Sequence, residues 1–106
     1  MATYKFAGYQ STKEKRTWRG DFTDDLPAGV AVTSATATHI PPSGSALTPT
    51  VHAIENNSGG VAAIVPVSLD LIGSIVLGEH YLDVVATLNN AQAEKVHLRM
   101  LIRVNS

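Results

Sequence analysis

Four histidines, His39, His52, His80 and His97, are the first residues in this sequence that could do chemistry, because imidazoles that converge in space can hold a transition metal. None is spaced as a local ligand pair, and His97 falls in the outward row of an alternating segment, so they read as surface or sheet residues. Asp21, Asp24 and Asp25 form the one carboxylate cluster, and closely spaced oxygen ligands can bind calcium in a loop. The run lacks the glycine and terminal glutamate of a calcium loop, so turn chemistry is the better reading. A serine nucleophile needs a histidine held by a third group, and the sequence has no elbow such as Gly-x-Ser-x-Gly. Gly59-Gly60 precedes a strand pattern where a phosphate cradle needs a helix N-terminus, so it reads as a turn. No catalytic residue, cofactor site or metal set is expected, and the chain reads as a non-enzyme.

Two short motifs have simpler readings. Arg19-Gly20-Asp21 spells a tripeptide that integrins recognise, but it lies inside a strand pattern. Asn56-Asn57-Ser58 matches a glycosylation acceptor, yet without a secretion signal it is a polar loop. Trp18, the single tryptophan, is read as a core anchor ahead of an exposed binding hot spot.

The composition narrows the class further. At 106 residues the chain has the size of one domain and is expected to bury roughly two-thirds of its unfolded surface. It is 44% hydrophobic and 16% charged, so Thr, Ser, Gly, Asn and Ala must cover much of the exterior, as on a β-protein. A net charge of -1 provides no field for phosphates, so nucleic acid is not an expected partner. There are no cysteines, which leaves packing and backbone hydrogen bonds to stabilise the fold. No apolar run is long enough for a signal peptide or a membrane span, so a soluble protein made in the cytosol, with no membrane partner, is expected.

The elements that would position any site are strands. Val96, Leu98, Met100, Ile102 and Val104 alternate with Lys95, His97, Arg99, Leu101 and Arg103, which places one apolar row on a core and a largely basic row on solvent or a partner. Residues 81–88 are rich in Val and Leu, and with the polar break at 89–92 they predict a C-terminal hairpin. Upstream, residues 61–67 and 69–77 read as two short apolar strands, with Pro66 at an edge, bulge or strand boundary. Residues 30–40, 50–54 and 16–22 read as further strands, with a loop at 55–60 and a turn at 24–29. Residues 1–12 are either an edge strand or an N-terminal arm that orders on a partner; an arm could be removed without unfolding residues 13–106. About seven short strands at spacings of about 8–12 residues predict an all-β, Ig-like antiparallel sandwich.

The run from Trp18 to Gly29, followed by Val32-Thr33-Ser34-Ala35-Thr36-Ala37-Thr38, resembles small tailed-phage proteins of the fibre-to-tail adaptor type and related Ig-like virion proteins. Shared features are an Asp-Phe-Thr strand end, a Leu-Pro-x-Gly turn, a Thr/Ala-rich strand and a closing strand pair. The resemblance runs from about Lys13 onward and does not include the aromatic segment from Tyr4 to Tyr9. It implies a structural subunit of a phage particle, made in the host cytoplasm, without cofactor, present in symmetric copies and docking to tail, fibre or capsid subunits. Tyr4, Phe6 and Tyr9 are the expected arm contacts, with Arg99 and Arg103 on the exposed face of the last strand. A carbohydrate-binding sandwich is the alternative, although the chain holds only six aromatics, four of them before residue 20.

Overall fold

The computed structural model describes residues 2–106; Met1, at the head of the expected arm, lies outside the described residues. Eight strands follow one another: β1 (Ala2–Ser11), β2 (Lys15–Asp21), β3 (Val32–Ile40), β4 (Thr50–Val51), β5 (Glu55–Asn56), β6 (Ala62–Asp70), β7 (Gly78–Leu88) and β8 (Lys95–Asn105). One 3-10 turn, Thr23–Asp25, sits between β2 and β3. The strands form two sheets packed as a sandwich, one ordered β1-β8-β7-β3 and the other β2-β6-β4, with β5 also paired to β6. β1 runs parallel to β8, and the remaining pairings are antiparallel.

Period-two alternation builds the core. Leu82, Val84 and Ala86 of β7 and Leu98, Met100 and Ile102 of β8 face Val65, Val67 and Leu69 of β6 and Trp18 of β2, all buried. Phe22, just past β2, is fully buried among them. The hairpin of β7 and β8 pairs from Gly78 with Val104 to Thr87 with Lys95, which turns the basic row of β8 outward.

β1 is an edge strand tied into the core. Gln10 is buried, and its Nε2 donates to the carbonyls of Leu69 (2.7 Å) and Glu14 (3.1 Å), while its Oε1 accepts the Trp18 indole N–H at 2.8 Å. One side chain therefore satisfies a buried donor and a buried acceptor on the opposite sheet. Gly8 lies against Trp18, where a Cβ would come within 3.0 Å of the ring, and its φ of +150° suits glycine. A bulge between Phe6 and Gly8 accommodates this contact. An arm that could be cut away without cost is not what residues 4–11 form, because Gln10 belongs to the core.

The middle of the chain departs from the sequence reading. β6 runs through Pro66 without a break, and residues 71–77, expected to be part of a strand, form a loop. Pro66 accepts the His52 N–H at 2.9 Å, so its missing donor faces the gap between β4 and β5, where no strand requires one. Asp70 ends β6 by accepting the Ile72 N–H on its side chain, and the turn from Leu71 to Ser74 passes through Gly73 at φ +88°. The expected strand over 50–54 shrinks to Thr50–Val51, and Glu55–Asn56, expected in a loop, pairs briefly with β6.

Candidate functional site: the outer face of the four-stranded sheet

The register of β1, β8, β7 and β3 sets outward side chains in rungs across one sheet. Phe6 pairs with Leu101, Leu101 with Tyr81, and Tyr81 with Ile40, which makes an apolar rung. On one side Tyr4, Arg99, Asp83 and Thr38 form the next rung, and on the other Tyr9, Arg103 and Glu79 line up. The five side chains singled out from the sequence, Tyr4, Phe6, Tyr9, Arg99 and Arg103, thus come together on one face. Tyr81, Leu101, Asp83 and Glu79 complete it. The signal for Leu101 was its place as the apolar member of a basic row; the others became neighbours only through register.

Aromatic side chains dominate the β1 edge of this face. Tyr4, Phe6 and Tyr9 are 69%, 50% and 56% exposed, unusual values for large rings held on a paired strand. Phe6 and Tyr9 meet edge to face, with centroids 5.5 Å apart. The Arg99 guanidinium lies 5.7 Å from the Tyr4 ring centre and 5.1 Å from that of Tyr81, a cation–π position on both.

The charges of the face are paired within it. Arg99 grips Asp83 through two hydrogen bonds, Nε to Oδ1 at 2.5 Å and Nη2 to Oδ2 at 2.6 Å. The Arg99 bonds hold the Asp83 carboxyl below its usual range against the opposing effect of burial, and the same bonds push the guanidinium pKa up. Arg103 Nη2 reaches Glu79 at 3.3 Å in the open. His97 Nε2 comes within 3.4 Å of Asp83 Oδ1 but makes no hydrogen bond there. Because Arg99 is clamped and sandwiched while Arg103 is solvated, Arg99→Ala is expected to lower the urea midpoint clearly and Arg103→Ala hardly at all. Equal midpoints for the two variants would contradict this ranking.

The other residues with chemical potential are placed elsewhere. Asp21 Oδ1 accepts both the N–H and the hydroxyl of Thr23, which lowers its pKa and shapes the entry to the turn; Asp24 and Asp25 are exposed within that turn. Arg19 pairs with Glu55 across the sheet, so the Arg-Gly-Asp run is spent on structure. Asn57 Oδ1 accepts the N–H groups of Gly59 and Val61 and shapes the Gly-Gly turn. His52 Nε2 lies 2.6 Å from Ser68 Oγ, which is 2.8 Å from Thr17 Oγ1, yet no carboxylate orients the imidazole among the described residues. A cleft of about 420 Å³ at one end of the sandwich is lined by Leu26, Pro27, Val30 and Val61 with Thr23 and Asn57, and no lining residue titrates near neutral pH.

His39 and His80 were expected on the surface or in the sheet, and the structure buries both on inward positions of β3 and β7 and joins them. The Leu47 N–H donates to His39 Nδ1 at 2.9 Å, which fixes the His39 proton on Nε2. That N–H points at His80 Nδ1, 2.8 Å away, and His80 Nε2 then donates to the Val76 carbonyl at 2.9 Å. The relay is complete with both rings neutral, and it pins the loops at 41–49 and 71–77. Burial depresses the His39 pKa to about 4, with the neighbouring His80 adding to the effect, and burial lowers that of His80 as well. The two residues are 41 positions apart, so no spacing rule could have paired them. Among the described residues no three His, Asp or Glu side chains come together as a metal set.

No protein-family profile and no curated protein matches this chain. Among solved structures, InlP of Listeria monocytogenes is similar in fold, with a TM-score of 0.50 and 19% identity over 98% of this chain. The chain spans about 27% of the length of that protein, and at this identity the likeness extends to the all-β fold alone.

Proposed function

We propose that this chain is a non-enzymatic docking module, an Ig-like sandwich that presses the outer face of its four-stranded sheet against a neighbouring subunit. In the setting that the sequence resemblance implies, it is a structural protein of a phage particle that joins tail or fibre components or decorates the capsid. The observation that carries the docking reading is the exposure of Tyr4, Phe6 and Tyr9 on a strand that Gln10 fixes to the core. Rigid aromatics supply large contact area at small entropic cost, and charges already paired in place lose less on desolvation. The strand order β3-β7-β8 over β2-β6-β4 corresponds to C-F-G over B-E-D of an immunoglobulin sandwich, which supports the Ig-like assignment.

The grouping of Tyr4, Phe6, Tyr9 and Tyr81 on one face also favours a second reading, a carbohydrate-binding sandwich, because sugars stack on aromatic rings. Two details weigh against it. Phe6 and Tyr9 turn edges to each other, and Arg99 already occupies a face of both Tyr4 and Tyr81. Saturable binding on a glycan array, abolished by Tyr4→Ser, would favour this second reading over docking.

The direct test is a chain carrying Tyr4→Ser, Phe6→Ser and Tyr9→Ser together, supplied to particles in place of the native protein. Its circular dichroism is expected to match the wild type while its incorporation into purified particles is lost. Wild-type incorporation of the triple variant would overturn the docking face.

A further inference from the structure

The edges of the two sheets are unequally guarded. Natural edge strands avoid unwanted pairing through charges, bulges, proline or short length. β1 carries Lys5 and the bulge beside Gly8; β2 carries Lys15, Arg16 and Arg19; and β4 and β5 are two residues each. β3 has none of these guards beyond an irregularity at its start, between Val32 and Ser34. Its nine residues, Val-Thr-Ser-Ala-Thr-Ala-Thr-His-Ile, include no Lys, Arg, Asp, Glu or Pro. It pairs with β7 on one side, and no other backbone hydrogen bond reaches it among the described residues. Ser34, Thr36 and Thr38 are exposed, and Ala35 and Ala37 remain half-buried although they face inward.

The order of residues at the centre of this edge, Ser34-Ala35-Thr36-Ala37-Thr38, is nearly palindromic. Laid antiparallel against itself about Thr36, the strand sets Thr36 opposite Thr36, Ala35 opposite Ala37 and Ser34 opposite Thr38; the matched stretch ends there, since Thr33 falls at the irregularity and meets His39. Within residues 34–38 each pairing joins like with like, hydroxyl to hydroxyl on the outer face and methyl to methyl on the inner one, which is how cross-strand neighbours stabilise a sheet. We propose that the β3 edge joins a second copy of this chain, strand to strand and antiparallel, about a two-fold axis through Thr36. The interface is isologous and closes at the dimer. It makes one eight-stranded sheet with β1 at both outer edges, and since the axis is normal to the sheet, both aromatic faces point the same way. The inference stands on the edge alone, so a failed dimer leaves the docking face untouched.

Thr36 is exposed and its side chain makes no hydrogen bond among the described residues, so charges are tolerated there in the monomer. Analytical ultracentrifugation of the full chain is expected to give a reversible dimer of the 11.2 kDa protomer. Thr36→Lys and Thr36→Glu each set like charges opposite each other and are expected to shift the equilibrium toward monomer by about tenfold or more. An equimolar mixture of the two variants is expected to dimerise again. With no native cysteine to compete, Thr36→Cys is expected to oxidise to a cross-linked dimer, whereas Ser34→Cys, which faces Thr38 of the second copy, is not. A wild type that stays monomeric up to about 1 mM would overturn the proposal. A dimer indifferent to both charge variants would also overturn it, by placing the contact on another surface.

Discussion

Between pH 6.5 and pH 4 the protein is expected to lose on the order of 2 to 3 kcal/mol of stability through His39 alone. The sign follows from the direction of the shift. In the folded chain the His39 pKa is about 4 against an ordinary value of 6.5, so within that window the unfolded state binds the extra proton and gains. The contribution is complete above pH 6.5 and falls away as pH drops toward 4. His80 is shifted in the same direction and adds to the loss. The geometry gives the reason: a proton added at His39 Nδ1 confronts the Leu47 N–H, and one added at His80 Nδ1 confronts the N–H of His39. Either event breaks the relay that holds the loops at 41–49 and 71–77, where Ile72, Ile75 and Leu77 are exposed. Asp21 and Asp83, whose pKa values are lowered, contribute stability that is lost only at more acid pH. Thermal unfolding of the double variant His39→Gln/His80→Gln is expected to vary far less between pH 7 and pH 4 than that of the wild type. A wild-type Tm that is flat across the window would refute the assignment of the buried pair.

Gln10→Leu is expected to cost about 3 kcal/mol, because it strands two buried polar groups, the Trp18 indole N–H and the Leu69 carbonyl. Leucine fits the volume but offers neither an acceptor nor a donor. Guanidinium unfolding followed by Trp18 fluorescence reads this loss and reports on the affected ring at the same time. A change under about 0.5 kcal/mol would mean that β1 is held by its ladder with β8 and that Gln10 is incidental. The same reasoning makes deletion of residues 1–12 a poor probe of docking, since it removes Gln10 together with the aromatic row. Substitutions confined to the outer positions of β1 separate the two roles.

Sequence pattern exposed the strands with strict alternation and little about who their neighbours are. β8 was legible because its apolar and basic rows differ at every position but Leu101, and the hairpin with β7 because a short polar break joins the two. Period two assigns a face, but it is silent on which strand lies alongside. The parallel pairing of β1 with β8 joins residues nearly a full chain apart, and its register depends on a bulge required by the contact of Gly8 with Trp18. Pro66 suggested a strand boundary because a missing N–H usually ends a ladder, yet here it faces the gap between β4 and β5, where only its carbonyl is engaged, by the His52 N–H. The five candidate contact residues were each visible as exposed or outward positions. Their convergence, and the clamp of Asp83 on Arg99, arise from register alone. His39 and His80 are sheet residues, one of the two places expected of them, but their burial and pairing were hidden for the same reason, since inward placement of a polar ring becomes sensible only when its partner is known.

Hydroxyl-radical footprinting of the free chain and of purified particles containing it tests the docking face most directly, because the exposed rings are themselves the probes. The account predicts several-fold protection of Tyr4, Phe6 and Tyr9 in the particle, with the buried Trp18 unreactive in both states. Rings that react equally in the free and assembled protein would show that this face is not where the chain docks.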